Sequence, residues 1–247
     1  MEVIYKKPES LKNEVTTYCP GCGHGIIHRL IAEIIDELEI RERTIGVAPV
    51  GCAVLAYNFF NFDVTESAHG RAPAVATAIK RLLPDRIVFT YQGDGDLAAI
   101  GTSEIIHAAA RGENITVIFV NNAVYGMTKG QMAPTTLPGM KTTTTIEGRD
   151  IKIHGYPLKV CELLSQIDGV YYLERTVIDS VPSIIKTKSA IKKAFQNQIE
   201  DKGFSLIEIL SPCPINWKMT PIQALNYVKE VMSKYFIPGV YKNKGGK

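Results

Sequence analysis

Two apolar runs, Arg86–Tyr91 and Ile115–Val120, flank the most patterned part of this 247-residue chain. The second is almost wholly apolar, as expected of a parallel strand covered on both faces. The intervening Leu97–Arg111 predicts a helix, so the three form a βαβ unit whose strands run in one direction. Two polar clusters, Gly93-Asp94-Gly95 and Asn121-Asn122, follow these strands and therefore meet at one sheet edge. That edge is where open α/β sheets bind ligands. Upstream, Ile27, Leu30, Ile31, Ile34, Ile35 and Leu38 recur at helical spacing within Ile26–Leu38. Thr44–Val47 reads as a short strand and Ala72–Leu83 as a small-residue helix stopped by Pro84, while Tyr57–Asp63 is ambiguous.

Downstream, Thr128–Arg149 is rich in Thr, Gly and Pro without periodicity, the mark of a functional loop. Leu158–Ile167, Pro182–Gln198 and Pro221–Tyr235 predict helices, and Val170–Glu174 and Ser205–Leu210 strands. This alternation gives an α/β fold with a doubly wound, mostly parallel sheet. One domain is expected over residues 18–235, behind an N-terminal arm (1–17) and before a tail (236–247) that frays around Lys242-Asn243-Lys244.

Composition changes this picture little. Apolar residues make up 45% and charged ones 21%, ordinary values for a globular protein. A net charge of +3 is too mild to argue for nucleic acid. No apolar run is long enough for membrane insertion. The lysines of residues 1–13 precede no apolar segment, so no secretory signal is expected and a cytoplasmic location is the default.

The chemistry concentrates in two motif sets. Twenty-five residues (96–120) separate Gly95 from Asn121, room for one helix and one strand. Glycines let backbone approach a pyrophosphate. Asp94 offers an anionic oxygen, Asn122 a neutral one, and the Val124 carbonyl a third, a hard set that suits Mg²⁺ carrying phosphate. Alone, GDG and Asn-Asn are common turns; paired after two strands, they favour the metal reading. Of five cysteines, Cys19 and Cys22 form a C-x-x-C loop at a helix start, and Cys52 and Cys213 each follow a strand. An odd number argues against a disulfide framework. Spacing leaves a zinc site and an iron–sulfur cluster equally open. Cys161 lies in a helical pattern and reads as a buried small hydrophobe.

His69-Gly70-Arg71 precedes a helix and could present a donor and a cation to an anion. His24 and His28 stand four apart, but without the acid of a zincin motif. His24 could line a cofactor loop, whereas His28 reads as structural. Trp217 and the Tyr57–Asp63 aromatics read as core or interface.

The GDG-to-NN pattern resembles the diphosphate-binding motif of thiamine diphosphate enzymes. Taken in order, CPGCG, GC, HGRAP, GDGD, NN-x-x-YGMTKGQ and SPCP resemble the β subunit of 2-oxoacid:ferredoxin oxidoreductases, from about Tyr18 to Pro214. The resemblance implies a thiamine diphosphate-binding fold, the diphosphate-binding module. It implies Mg²⁺ on Asp94, Asn122 and the Val124 carbonyl, and one [4Fe–4S] cluster on Cys19, Cys22, Cys52 and Cys213. It implies roles for Gly93, Gly95 and His24 at the cofactor, for Met127 lining the pocket, and for His69, Arg71 and Lys129 near cofactor or substrate.

The implied activity is CoA-dependent oxidative decarboxylation of a 2-oxoacid with reduction of ferredoxin. Relatives acting on 2-oxoglutarate often carry a basic or polar residue after the third cluster cysteine. Here that stretch is Ala53-Val54-Leu55-Ala56-Tyr57, closer to the branched-chain, 2-oxoisovalerate type; 2-oxoglutarate or pyruvate is the alternative. The chain lacks a pyrimidine-binding module and a repeated ferredoxin-like cysteine set. A heteromer is therefore expected, with an alpha (pyrimidine-domain) subunit, a gamma subunit closing over coenzyme A and a ferredoxin-like delta subunit. A non-oxidative thiamine decarboxylase subunit and a zinc-stabilised interaction protein are the readings from other classes.

Overall fold

A computed structural model describes residues 6–246; positions 1–5 of the expected arm and position 247 of the tail lie outside the described residues. In chain order the elements begin α1 (His24–Glu37), β1 (Thr44–Ala48), α2 (Ala56–Phe59), β2 (Asp63–Glu66), α3 (Ala72–Leu82) and β3 (Ile87–Gly93). A π-helical segment, Asp94–Ile100, leads into α4 (Thr102–Ala110), then β4 (Thr116–Asn121), the hairpin β5 (Val124–Tyr125) and β6 (Gln131–Met132), and α5 (Ile151–His154). The remainder comprises α6 (Val160–Ser165), β7 (Val170–Val177), α7 (Val181–Ile199), β8 (Phe204–Leu210), α8 (Pro214–Trp217), α9 (Pro221–Tyr227) continued by a π-helical segment (Val228–Met232) and a last turn (Ser233–Tyr235), and β9 (Gly239–Asn243).

The main sheet has seven strands in the order β2-β1-β3-β4-β8-β7-β9. Every neighbouring pair is parallel except β7–β9. Alternation along β3 explains the double layer. Phe89 and Tyr91 pack with Ile31, Ile191 and Phe195 of α1 and α7, whereas Val88 packs with Ala76, Ile105 and Leu164 of α3, α4 and α6. Each fully buried side chain of this kind contributes roughly 1.5–3 kcal/mol. The doubly wound expectation is met.

The chain leaves β1 toward β2 on one side and leaves β3 toward β4 on the other. The crevice between the carboxyl ends of β1 and β3 is therefore a topological switch point, the preferred ligand position of such sheets. The ends of β4 and β8 fall on the same edge, with Asn121 opposite Leu210.

Three expectations need correction. The helix after β3 starts at Asp94, not Leu97, and starts with π geometry, a form frequent at functional sites. The ambiguous aromatic stretch splits into α2 and the edge strand β2, with Phe60 and Phe62 stacked between them. The tail does not fray: Phe236 is fully buried, β9 pairs with β7, and the Lys242 Nζ donates to the Ser165 and Ile167 carbonyls.

The arm docks as well, since the Ser10 backbone and hydroxyl donate to Asp36 and the Lys12 N–H to Phe59 O at 2.8 Å. Under β7 and β8, the fully buried Arg175 donates to Glu208 at 2.9 Å and to Glu162 at 2.6 Å. The other Glu208 oxygen accepts from Asn121 Nδ2 at 2.8 Å, which carries this ion network to the end of β4.

Candidate functional site

A cavity of about 330 Å³ opens at the switch point. Loops after β1, β3 and β4 build it, and Asp94, Asn122 and Val124 converge at its floor. Asp94 is buried; its carboxylate accepts from the Asn122 N–H at 3.2 Å and from the Thr135 hydroxyl. Burial pushes its pKa up to about 7, with those hydrogen bonds pulling the other way.

Ala123, at φ +60°, adopts the left-handed conformation that turns Asn122 and Val124 toward Asp94. One terminal atom of the Asn122 amide lies 2.8 Å from Val124 O and 3.2 Å from Asp94 Oδ1. With nitrogen in that place the amide donates to both. With oxygen there, three oxygens face one another, an arrangement that calls for a hard cation. The residues therefore fit Mg²⁺.

The long loop is ordered around this floor. Arg149 is buried and donates to six carbonyls between Ala133 and Tyr156, including Thr136 O at 2.6 Å. Thr136 Oγ1 in turn donates to Ala123 O at 2.6 Å. Thr135 is thereby fixed beneath Asp94.

Asp96, two residues on, is 1% exposed and accepts four hydrogen bonds. Its Oδ1 accepts from His69 Nδ1 at 2.7 Å and from the Gly70 and Val50 N–H groups at 3.0 Å each. Its Oδ2 accepts from Gln92 Nε2 at 2.7 Å. Gly70, at φ +79°, lies so close to Gly101 that a Cβ there would stand 2.7 Å from the Gly101 nitrogen. That contact seats the His69 loop on the junction between the π segment and α4.

Four cysteines gather beside the cavity. Cys52 lies on its wall. Burial first, and then the neighbouring thiols, push Cys22 up to about 11 and Cys52 up to about 12; Cys213 is raised also. A Cβ on Gly23 would stand 2.2 Å from Ser211 Oγ, so the C-x-x-C loop packs directly on the segment bearing Cys213. Gly126, after β5, has room for Cys52 Sγ because it has no Cβ of its own. The Asn216 amide donates to Cys213 Sγ at 3.2 Å and to Gly126 O at 2.9 Å.

Among the described residues, no group of three or more Cys, His, Asp or Glu is arranged to hold a single metal ion. Four thiols near enough to raise one another are a donor set that zinc or an iron–sulfur cluster takes. Bound iron would hold these thiols ionised against the upward shift that burial imposes. The thiols fit the cluster reading.

Behind both features stands an aromatic wall. Tyr18 stacks on His24 at 4.9 Å, His24 Nδ1 meets the Tyr91 hydroxyl at 2.7 Å, and His28 Nε2 meets the Tyr18 hydroxyl at 3.1 Å. Burial lowers His24 to about 4 and His28 well below its usual range, so both rings are neutral at pH 7.

Of the residues singled out from sequence, His24, Cys52, His69, Gly93, Asp94, Gly95, Asn122, Val124 and Met127 line the cavity. Cys19, Cys22 and Cys213 sit beside it. Arg71 and Lys129 are not among the lining residues. Arg71 is held at the surface by Glu104, and Lys129, at φ +80°, occupies the exposed β5–β6 turn. Asp96, Thr135, Gln92 and Asn216 were missed. Only Asp96 had a signal, as the second acid of GDGD. Trp217 is core, as expected, but its Nε1 also donates to Asn122 O at 3.2 Å.

A sheet edge of this construction is the mark of a diphosphate-binding class. A family model, the thiamine pyrophosphate enzyme C-terminal TPP binding domain, matches residues 49–209. That span contains Cys52, Asp94 and Asn122, whereas Cys19, Cys22 and Cys213 fall outside it. A 2-oxoglutarate synthase subunit, KorB, from Methanocaldococcus jannaschii is 35% identical over 219 residues, 86% of this chain and 77% of that protein. The ketoisovalerate oxidoreductase subunit VorA of Methanothermobacter thermautotrophicus is 48% identical over 243 residues, 94% of this chain. The chain spans about half, 51%, of VorA's length.

A solved 2-oxoglutarate:ferredoxin oxidoreductase from Magnetococcus marinus superimposes with a TM-score of 0.80 at 25% identity, covering 99% of this chain and 87% of that one. The chain belongs to the family of β subunits of the 2-oxoacid:ferredoxin oxidoreductases.

Proposed function

We propose that this chain is the thiamine-binding subunit of an enzyme catalysing 2-oxoacid + CoA + 2 oxidised ferredoxin → acyl-CoA + CO₂ + 2 reduced ferredoxin + H⁺. The observation that carries the reading is Cys52: it lines the same cavity as the Asp94, Asn122 and Val124 oxygens and belongs to the group of four thiols.

Those three oxygens would hold Mg²⁺ against the cofactor diphosphate, and Thr135 would keep Asp94 aimed. Thiamine diphosphate, when bound, supplies the carbon that adds to a ketone and takes up the electrons released on decarboxylation. Cys19, Cys22, Cys52 and Cys213 would hold one [4Fe–4S] cluster, a one-electron store. Val50, Ala53, Ile100 and Met127 give the cavity wall its apolar lining. His69 offers the polar group there, while Arg71 and Lys129 would act only if a partner or substrate drew them inward.

The apolar wall favours a branched aliphatic side chain, and hence 2-oxoisovalerate, as the VorA similarity does. The KorB similarity supports 2-oxoglutarate as the second reading, yet among the described residues no Lys or Arg lines the cavity to meet a second carboxylate. Alpha, gamma and ferredoxin-like delta subunits would supply the pyrimidine side, the cover over CoA and the onward electron carriers. Among the described residues no helix is long and apolar enough to cross a membrane; we place the enzyme in the cytoplasm.

Anaerobic purification of the complex tests the metal assignment. This chain should carry about four iron and matching labile sulfide, and the Cys213→Ala variant should lose most of both. Stoichiometric zinc with no iron in the wild-type protein would overturn it.

A further inference from the structure

Asp96 lies outside every role given so far. The proposed Mg²⁺ set does not use it, yet its carboxylate is among the most thoroughly bonded side chains at the cavity. Its four donors come from three separate segments: Val50 after β1, His69 and Gly70 before α3, and Gln92 in β3. The two backbone N–H groups cannot reverse their polarity, so Asp96 Oδ1 is an acceptor, and His69 Nδ1 facing it carries a proton. A neutral His69 then presents Nε2 as a lone pair. That nitrogen makes no hydrogen bond among the described residues, the side chain is 41% exposed, and the ring lies on the cavity wall. His69 Cε1 is 3.9 Å from where a Cβ on Gly95 would stand, and Tyr125 is 3.1 Å from the same point. A Cβ at 95 would press on Tyr125 and only touch the His69 ring; glycine leaves room for both.

We propose that Asp96 is a positioning residue: it fixes the tautomer and orientation of His69 so that Nε2 faces the reacting end of the cavity. This deepens the functional reading and rests on it for the identity of the substrate, a 2-oxoacid, though not for the geometry. Asp96 acts through His69, and its backbone contacts keep the β1 and His69 loops in register with the π segment. Asp96→Asn is nearly isosteric. Its amide oxygen still accepts from Val50, Gly70 and His69. Its NH₂ faces Gln92, whose amide turns over and donates instead to Thr90, the present donor to Gln92 at 3.0 Å. The loops and an acceptor for the His69 Nδ1–H are therefore retained, while the charge assistance that makes this hydrogen bond about twice as strong is lost, so the ring is held in its orientation less firmly.

The test compares Asp96→Asn, His69→Ala and the double variant in the intact complex. Expected are a kcat about 10–100-fold lower for His69→Ala and about 3–10-fold lower for Asp96→Asn, near-normal KM and thiamine diphosphate affinity, and a double variant no worse than about twofold below His69→Ala. Multiplying losses in the double variant would overturn the proposal, as would His69→Ala activity within about twofold of wild type, whatever the Asn variant does.

A second readout does not need turnover. Diethyl pyrocarbonate acylates a free imidazole nitrogen, so His69 should react several-fold more slowly in Asp96→Asn, and in wild type Mg²⁺ with thiamine diphosphate should protect it. Unchanged modification in both cases would contradict the proposal. A wild-type complex that modifies and protects His69 as expected but oxidises no 2-oxoacid would instead overturn the functional reading alone.

Discussion

Asp94→Ala is expected to weaken Mg²⁺-dependent thiamine diphosphate binding by at least ~100-fold while leaving the iron content of the complex intact. The carboxylate is the one charged member of the oxygen set; Asn122 and Val124 offer only neutral dipoles. Losing merely an outer-shell partner of a metal ligand costs about 10–100-fold, and losing the charged ligand itself costs more. Stability should change little. Removing a buried carboxylate that burial already disfavours offsets the Thr135 hydroxyl and Asn122 N–H left without an acceptor, worth about 1–3 kcal/mol. Asp94→Asn keeps an acceptor for the Asn122 N–H, its NH₂ donates to the Thr135 hydroxyl in place of accepting from it, and it should bind with intermediate affinity. Calorimetric titration of the complex with the cofactor, at fixed Mg²⁺, reads all three proteins. Wild-type affinity in Asp94→Ala would show that the metal sits elsewhere.

The second large effect lies on the other side of β4. Arg175→Met should destabilise the chain by about 3–5 kcal/mol, because it strands Glu208 in the core without its cation. At this chain length that lowers the melting temperature by roughly 2–4 °C for each kcal/mol. Glu162 is 36% exposed and can rehydrate, so Glu208 carries most of the cost. Arg175→Met combined with Glu208→Gln should recover a large part of the loss, since Gln can still accept from Asn121 without a buried charge. A melting temperature unchanged in Arg175→Met would mean that Glu208 is not held as an anion. The link matters for the site, because Glu208 holds Asn121 and Asn121 Oδ1 accepts from the Ala123 N–H at 3.2 Å, at the turn that presents Asn122 and Val124.

The parts of this molecule that sequence revealed are those written in local pattern. Strand apolarity, helix periodicity and the polar caps of β3 and β4 follow from neighbours a few residues away, and they place Asp94 and Asn122 on one edge. The fates of Arg71, Lys129 and the tail depend on contacts distant in sequence. Arg71 meets Glu104 across the π segment, and β9 pairs with a strand some seventy residues earlier. Thr135 shows no signal because its importance lies in being buried beneath Asp94, which Arg149 brings about through backbone carbonyls that any sequence possesses. Asp96 was visible as a letter, but its four donors come from three loops that only the folded sheet brings together. The π start at Asp94 also escaped notice, because helical periodicity becomes legible only from Leu97 onward.

The central claim is that one chain joins a thiamine diphosphate floor to a four-thiol electron acceptor. The most direct test mixes the oxidised anaerobic complex with 2-oxoisovalerate and CoA and follows bleaching of the visible iron–sulfur absorbance. Bleaching should require both Mg²⁺ and thiamine diphosphate, proceed faster than with 2-oxoglutarate or pyruvate, and vanish in Asp94→Ala although its iron is retained. An iron-replete wild-type complex that no 2-oxoacid bleaches in the presence of both cofactors would contradict the account.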